Sequence, residues 1–240
     1  EYFPPYCRDE ILRWFPLAVI KKIAYLKESI DQIDNPEMRN FFLVILSGII
    51  RRVSQQDQSD LRIRYRKVFL KNAPVFSLFK SSLKQNEKKI LHFHKIKSFS
   101  NVKFQNSEIW LGDNTKFDCF NKKLQKNVDV IITSPPYATA LPYIDTDRLS
   151  LLSILGLPSK KRRKTEFVLT GSREIEPDVK GIIENDIKNR NFKQIKSQIA
   201  TNLIKKLYKT NLNSNAGFRK KNMPSLLYRY FLNISLTLGN

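Results

Sequence analysis

The segment Thr133-Ser134-Pro135-Pro136-Tyr137 holds the residues best suited to chemistry. Ser134 carries a hydroxyl oxygen, and the main-chain carbonyl of Pro135 is a second acceptor next to it. Two successive prolines fix φ and have no N–H to donate, so they hold that carbonyl stiffly. Tyr137 adds an aromatic face beside the two acceptors. Such a set can accept the two N–H bonds of a planar amine and stack on the ring that bears it. A Pro-Pro pair alone is common in surface turns. This one is delivered by the β-branched run Val-Asp-Val-Ile-Ile-Thr at 128–133, and a continuous run of that kind predicts a strand buried on both faces.

Other groups carry weaker signals. Gly112-Asp113 follows the short apolar segment 108–111. It reads either as an acidic site residue or as an ordinary turn pair. Lys160, Lys161, Arg162, Arg163 and Lys164 are five consecutive cations. They read as a phosphate clamp in a loop, with a merely solvated loop as the alternative. His92 and His94 have no Cys, Asp or Glu partners at metal spacing, so no metal site is expected. Glu174, Glu176 and Asp178 read as a solvated acidic loop.

The elements that must position these groups fall into three stretches. Residues 1–105 are a helical lead-in. Leu12, Phe15, Val19, Ile23, Leu26, Ile30 and Ile33 keep helical spacing over 9–33. Asn35-Pro36 supplies a cap with proline at the first helical position of a second helix, reaching Val53. A polar loop follows at 55–60, then a helix pair ending near Phe99. Residues 106–178 read as strand, crossover, strand and a helix over 146–155, with one more short strand at 166–170. This is part of a parallel α/β sheet. Residues 179–240 return to helical periodicity and end in a helix over 224–238.

Composition bounds the function. The chain has 240 residues with 43 Lys+Arg against 22 Asp+Glu, a formal net charge of +21. A surface this basic attracts polyanions, nucleic acid above all. A hydrophobic fraction of 41% excludes full disorder. Cys7 and Cys119 are too few for a disulfide scaffold and point to a reducing, cytoplasmic setting. The most apolar stretch, 41–50, is about half of the ~20 residues a membrane span needs, so no membrane association is expected.

The strand-Ser-Pro-Pro-Tyr segment resembles the catalytic motif of the amino-methyltransferases that use S-adenosylmethionine to methylate exocyclic amines of DNA bases. That motif ends the fourth strand of a Rossmann-like sheet, and the Thr-Ser-Pro-Pro-Tyr form is most similar to N4-cytosine enzymes. Gly112-Asp113 is similar to the acidic turn after the third strand. Trp14-Phe15, Tyr143, Asp147 and Arg148 resemble one bacterial branch. The resemblance implies a partial Rossmann-like methyltransferase sheet with large helical additions, acting on double-stranded DNA in a restriction-modification setting. Ser134 and Pro135 would polarise the target amine, Pro136 would stiffen the turn, and Tyr137 would stack on a base flipped out of the duplex. Asp113 would touch the adenosyl moiety, and residues 160–164 would hold phosphates. N6-adenine, an RNA base, or nucleic-acid binding without catalysis are the alternatives.

Neither cysteine follows a proline, so the Pro-Cys nucleophile of C5-cytosine enzymes is absent. The family's glycine-rich cofactor turn is absent too. The seven glycines, at 48, 112, 156, 171, 181, 217 and 239, form no Gly-x-Gly pattern. The expectation is an interior portion of a longer enzyme, partnered by its missing remainder, with a split or decayed enzyme as alternatives.

Overall fold

The computed structural model describes residues 3–59, 63–99, 112–116, 130, 132–139, 143–212 and 217–239. The chain groups into two compact units, Glu1–Ser107 with Ile144–Arg162, and Glu108–Tyr143 with Arg163–Asn240.

The first unit is built from α1 (Arg8–Trp14), α2 (Leu17–Asp31), α3 (Pro36–Ile50), α4 (Val75–Phe99) and most of α5 (Tyr143–Ser153). Pro16 has no N–H to continue α1, so the expected single helix over 9–33 is two helices with Phe15 extended between them. Asn35 caps α3 by accepting the Met38 N–H at 2.9 Å. Ile11, Phe15, Val19, Ile23, Leu46, Ile49 and Val53 meet in the core. Leu149 and Leu152 of α5 complete it. The loop after α3 is pinned by the buried Gln55 amide, whose Nε2 donates to the Leu70 carbonyl at 2.7 Å while its Oε1 accepts the Leu70 N–H at 3.1 Å.

The second unit contains α7 (Pro177–Lys188), α8 (Gln198–Leu212) and α9 (Phe218–Gly239). Ile183 and Ile187 of α7, Ala200 and Ile204 of α8, and Tyr228 of α9 form its core with Phe192 and Ile195. Pro224 lies inside α9 and cannot bond the Lys220 carbonyl. The Asn211 Nδ2 donates to that carbonyl instead, at 2.5 Å.

The end of α7 is closed by two bonds. Asn191 N–H reaches the Asp186 carbonyl at 2.8 Å and Arg190 N–H reaches the Ile187 carbonyl at 3.2 Å. Arg190 therefore takes the left-handed position, with φ of 56°, where glycine is the usual residue. A non-glycine side chain costs about 1 kcal/mol there.

The described residues do not form the expected partial Rossmann-like α/β sheet. Among the described residues all regular elements are helical, and the one β-interaction is an isolated antiparallel bridge between Gln56 and Tyr65. Val130 and Ile132 of the expected buried strand are 70% and 94% exposed. A β-branched run becomes a buried strand only where neighbouring strands take its N–H and C=O groups, and no described segment does so. The segment 108–111 and residues 128, 129 and 131 lie outside the described residues. The short strand expected at 166–170 is instead the end of α6 (Ser159–Val168) and the turn after it.

Candidate functional site

The Ser-Pro-Pro-Tyr segment is an irregular stretch in the second unit. Ser134, Pro135 and Tyr137 are exposed and Pro136 is half-buried. The chain then turns at Ala138-Thr139, with φ of 57° at Thr139. The segment rests on residues 171–173. Thr139 N–H donates to the Gly171 carbonyl at 3.1 Å, and Arg173 Nε donates to the Thr139 carbonyl at 2.8 Å. Gly171 has φ of 83°, and a β-carbon there would stand 2.7 Å from the Tyr137 carbonyl oxygen and 3.3 Å from Pro136 Cβ. Only a residue without a side chain lets the two backbones approach this closely.

The platform is held from below by Arg229 of α9. Its Nη1 donates to the Phe167 carbonyl at 2.8 Å and its Nη2 to the Ser172 carbonyl at 3.0 Å. Asn233 Nδ2 adds a bond to Thr170 Oγ1 at 3.0 Å. Arg229 is 8% exposed. Burial lowers its pKa, while the nearby Glu174 carboxylate acts in the opposite direction. Gly171, Arg173 and Arg229 were not singled out from the sequence. A lone Gly-Ser-Arg offers only a turn signal, and an arginine in an amphipathic helix offers none.

Asp113 sits in a short turn whose described contacts are local. Its Oδ1 accepts Thr115 N–H at 3.0 Å and the Thr115 hydroxyl at 2.6 Å, and Oδ2 lies 3.5 Å from Lys116 Nζ. The Thr115 hydroxyl and N–H hold this carboxyl below the usual range, with Lys116 adding to the effect. The glycine positions give no cradle either. Gly48 and Gly181 lie within helices and Gly217 faces open space, while Gly171 is taken up by the Tyr137 carbonyl. Among the described residues, Asp113 and these glycines form no cradle of the kind the resemblance implies for S-adenosylmethionine.

The five cations are on helix α6, not in a loop. Arg162 is 7% exposed. Its Nη2 bonds Glu10 Oε1 at 2.6 Å and its Nη1 the Leu157 carbonyl. Lys161 Nζ lies 4.4 Å from the Tyr6 ring centroid. Arg163 Nη2 lies 3.7 Å from Glu174. Lys160 and Lys164 are exposed. A helix presents consecutive side chains to different directions, and Arg162 is turned to Glu10 while Lys160, Lys161, Arg163 and Lys164 stay exposed.

In the first unit Trp14 and Arg148 meet. The guanidinium carbon of Arg148 lies 3.8 Å from the Trp14 ring centroid, and Trp14 also stacks on Tyr65 with centroids 4.3 Å apart and planes 2° from parallel. Arg148 Nη2 donates to Gln56 Oε1 at 3.3 Å. Burial pushes its pKa down to about 10. His92 and His94 are exposed on α4, and no described group of His, Cys, Asp or Glu is arranged to hold a metal ion. No described helix is long and apolar enough to cross a membrane.

No family model matches the chain, and no solved structure matches it. A type II methyltransferase of Kocuria varians, M.MvaI, is 23% identical over 188 residues, a match covering 75% of this chain. The chain spans 40% of that relative's length. The similarity supports a relationship between this chain and a methyltransferase.

Proposed function

We propose that the chain is a piece of an enzyme that methylates an exocyclic amine of a DNA base, N4 of cytosine, in a restriction-modification setting. One observation carries the reading: Ser134, Pro135 and Tyr137 stand exposed together on a stiff turn seated on Gly171. In this reading the Ser134 oxygen and the Pro135 carbonyl accept the two amine protons, and Tyr137 stacks on the flipped base. S-adenosylmethionine is the donor implied. Asp113 is not assigned to it in this reading, because its carboxylate is engaged with Thr115 and Lys116. That same engagement favours a second reading, nucleic-acid binding without catalysis.

Single-turnover methylation by the polypeptide in its full genomic reading frame separates the two. Ser134→Ala should lower the rate more than it weakens DNA binding, because it acts where the amine changes geometry. Tyr137→Ala should harm both, with stacking worth about 1–3 kcal/mol. Cys119→Ser should leave both unchanged. The direct-transfer reading falls if Ser134→Ala keeps the parent rate while Cys119→Ser is inactive. The 240-residue chain alone should show no micromolar binding of S-adenosylmethionine by isothermal titration.

A further inference from the structure

A groove of about 390 Å³ lies in the second unit between the end of α7 and the outer face of α8. Four cations reach it from three places: Lys188 at the end of α7, Arg190 in the turn, and Lys205 and Lys209 on α8. Tyr208 lies among them and no carboxylate lines the groove. Among the described residues none of the four cations is in an ion pair, although Lys205 Nζ sits 5.0 Å from the Phe192 ring centroid. Lys188, Arg190 and Lys209 are exposed.

Two local features run against the stability of the unit by itself. Like charges gathered without a counter-charge repel. Arg190 also occupies the left-handed position that glycine ordinarily fills after a helix. The turn is not loose, because the Tyr228 hydroxyl reaches the Asp186 carboxylate at 3.2 Å and the Asn191 carbonyl at 3.0 Å. A rigid turn that carries an arginine in a glycine position, facing three lysines, is a feature that an anion explains.

We propose that this groove binds the phosphate backbone of duplex DNA. The cations match the charge of successive phosphates, and Tyr208 adds a hydroxyl of the kind that bonds phosphate oxygens. A single-strand groove interleaves several aromatic platforms with its cations, whereas this one has four cations and a single tyrosine. Backbone binding here positions the chain without reading sequence. The choice of DNA over RNA rests on the function proposed above, while the anion groove does not.

The test is fluorescence anisotropy with the full 240-residue chain and labelled 20-base-pair DNA and RNA duplexes in parallel (no methyl donor present) across a salt series. The variants Lys188→Gln/Arg190→Gly and Lys205→Gln/Lys209→Gln should each bind about tenfold more weakly. Each should flatten the log–log salt slope by about 1.8, which is about 0.9 per lost phosphate contact. A charge-matched pair on α2 and α4, Lys21→Gln/Lys89→Gln, should leave the slope unchanged. Arg190→Gly alone should weaken binding while keeping or raising the thermal midpoint, which separates lost contact from lost fold. An unchanged slope in the groove variants, an equal effect of the control pair, or a loss confined to duplex RNA would overturn the proposal. Since no methyl donor enters this assay, its outcome is independent of the Ser134→Ala result.

Discussion

The carbonyl oxygen of Tyr137 lies 2.7 Å from the place where a β-carbon on Gly171 would stand. The geometry of the exposed turn is thus set by a residue in a separate stretch of the chain. Gly171 is in turn flanked by carbonyls, those of Phe167 and Ser172, that Arg229 holds.

Gly171→Ala should lower stability by roughly 2 kcal/mol in urea denaturation, from the positive φ together with the backbone clash. Gly171→Asn should do no better. Asparagine tolerates the left-handed region but brings the same β-carbon into the Tyr137 carbonyl. Full recovery by asparagine would show that φ alone matters and that the close approach does not.

Arg229→Leu should leave two carbonyls without their donor and lower stability by about 2–3 kcal/mol, as expected for lost hydrogen bonds from a charged group. Limited proteolysis should then cut within 166–173 before the rest of the second unit. Uniform cleavage would show that Arg229 is not what orders this platform.

Glu10→Gln should change how stability responds to acid. Burial raises the Glu10 pKa, but hydrogen bonds from the Arg162 guanidinium and from the N–H and hydroxyl of Ser159 outweigh it, and the carboxyl stays below its ordinary 4.5. A carboxylate depressed in the folded state stabilises the fold above its unfolded pKa, and that contribution is lost as pH falls through the folded value. Urea midpoints from pH 7 to pH 3 should therefore fall less steeply below pH ~4.5 in Glu10→Gln than in the parent. At pH 7 the variant should be less stable by roughly 2–3 kcal/mol. Parallel curves would assign the acid sensitivity to other carboxylates.

Trp14→Leu removes the ring that both Arg148 and Tyr65 contact. It leaves a buried guanidinium with no ring and should cost about 3–4 kcal/mol in chemical denaturation. Tyr65→Leu, which removes the exposed partner ring, should cost about 1 kcal/mol. Equal losses would mean that Trp14 acts as ordinary core volume and not as a platform for Arg148.

Local chemistry was legible in the sequence and long-range chemistry was not. Asn35-Pro36 was readable because cap and helix start adjoin, and the Met38 N–H is where the rule puts it. The break at Pro16 was hidden by apolar spacing that runs on through Phe15. The run at 128–133 has a strand's composition, yet Val130 and Ile132 are exposed, because pairing depends on neighbours that composition does not supply. The run at 160–164 looked like a uniform patch of charge. Helical phase and Glu10, far away in sequence, turned Arg162 inward. The exposed Ser134–Tyr137 turn was found from its own residues, whereas its support, Gly171 and Arg229, depends on contacts no local pattern records.

The core of the first unit is drawn from two separated stretches, and Leu149 and Leu152 of α5 lie fully within it. This has a consequence for synthesis. When residue 107 has left the ribosome, the helices α1 to α4 still lack part of the surface that their apolar faces cover. They must wait for residues 144–162, roughly 3–10 s at ordinary elongation rates of about 5–20 residues per second. During that interval Leu46, Ile49 and Val53 are incompletely buried in a nascent chain. A nascent-chain holdase that recognises short apolar segments would find its substrate there, and its release would coincide with the emergence of α5.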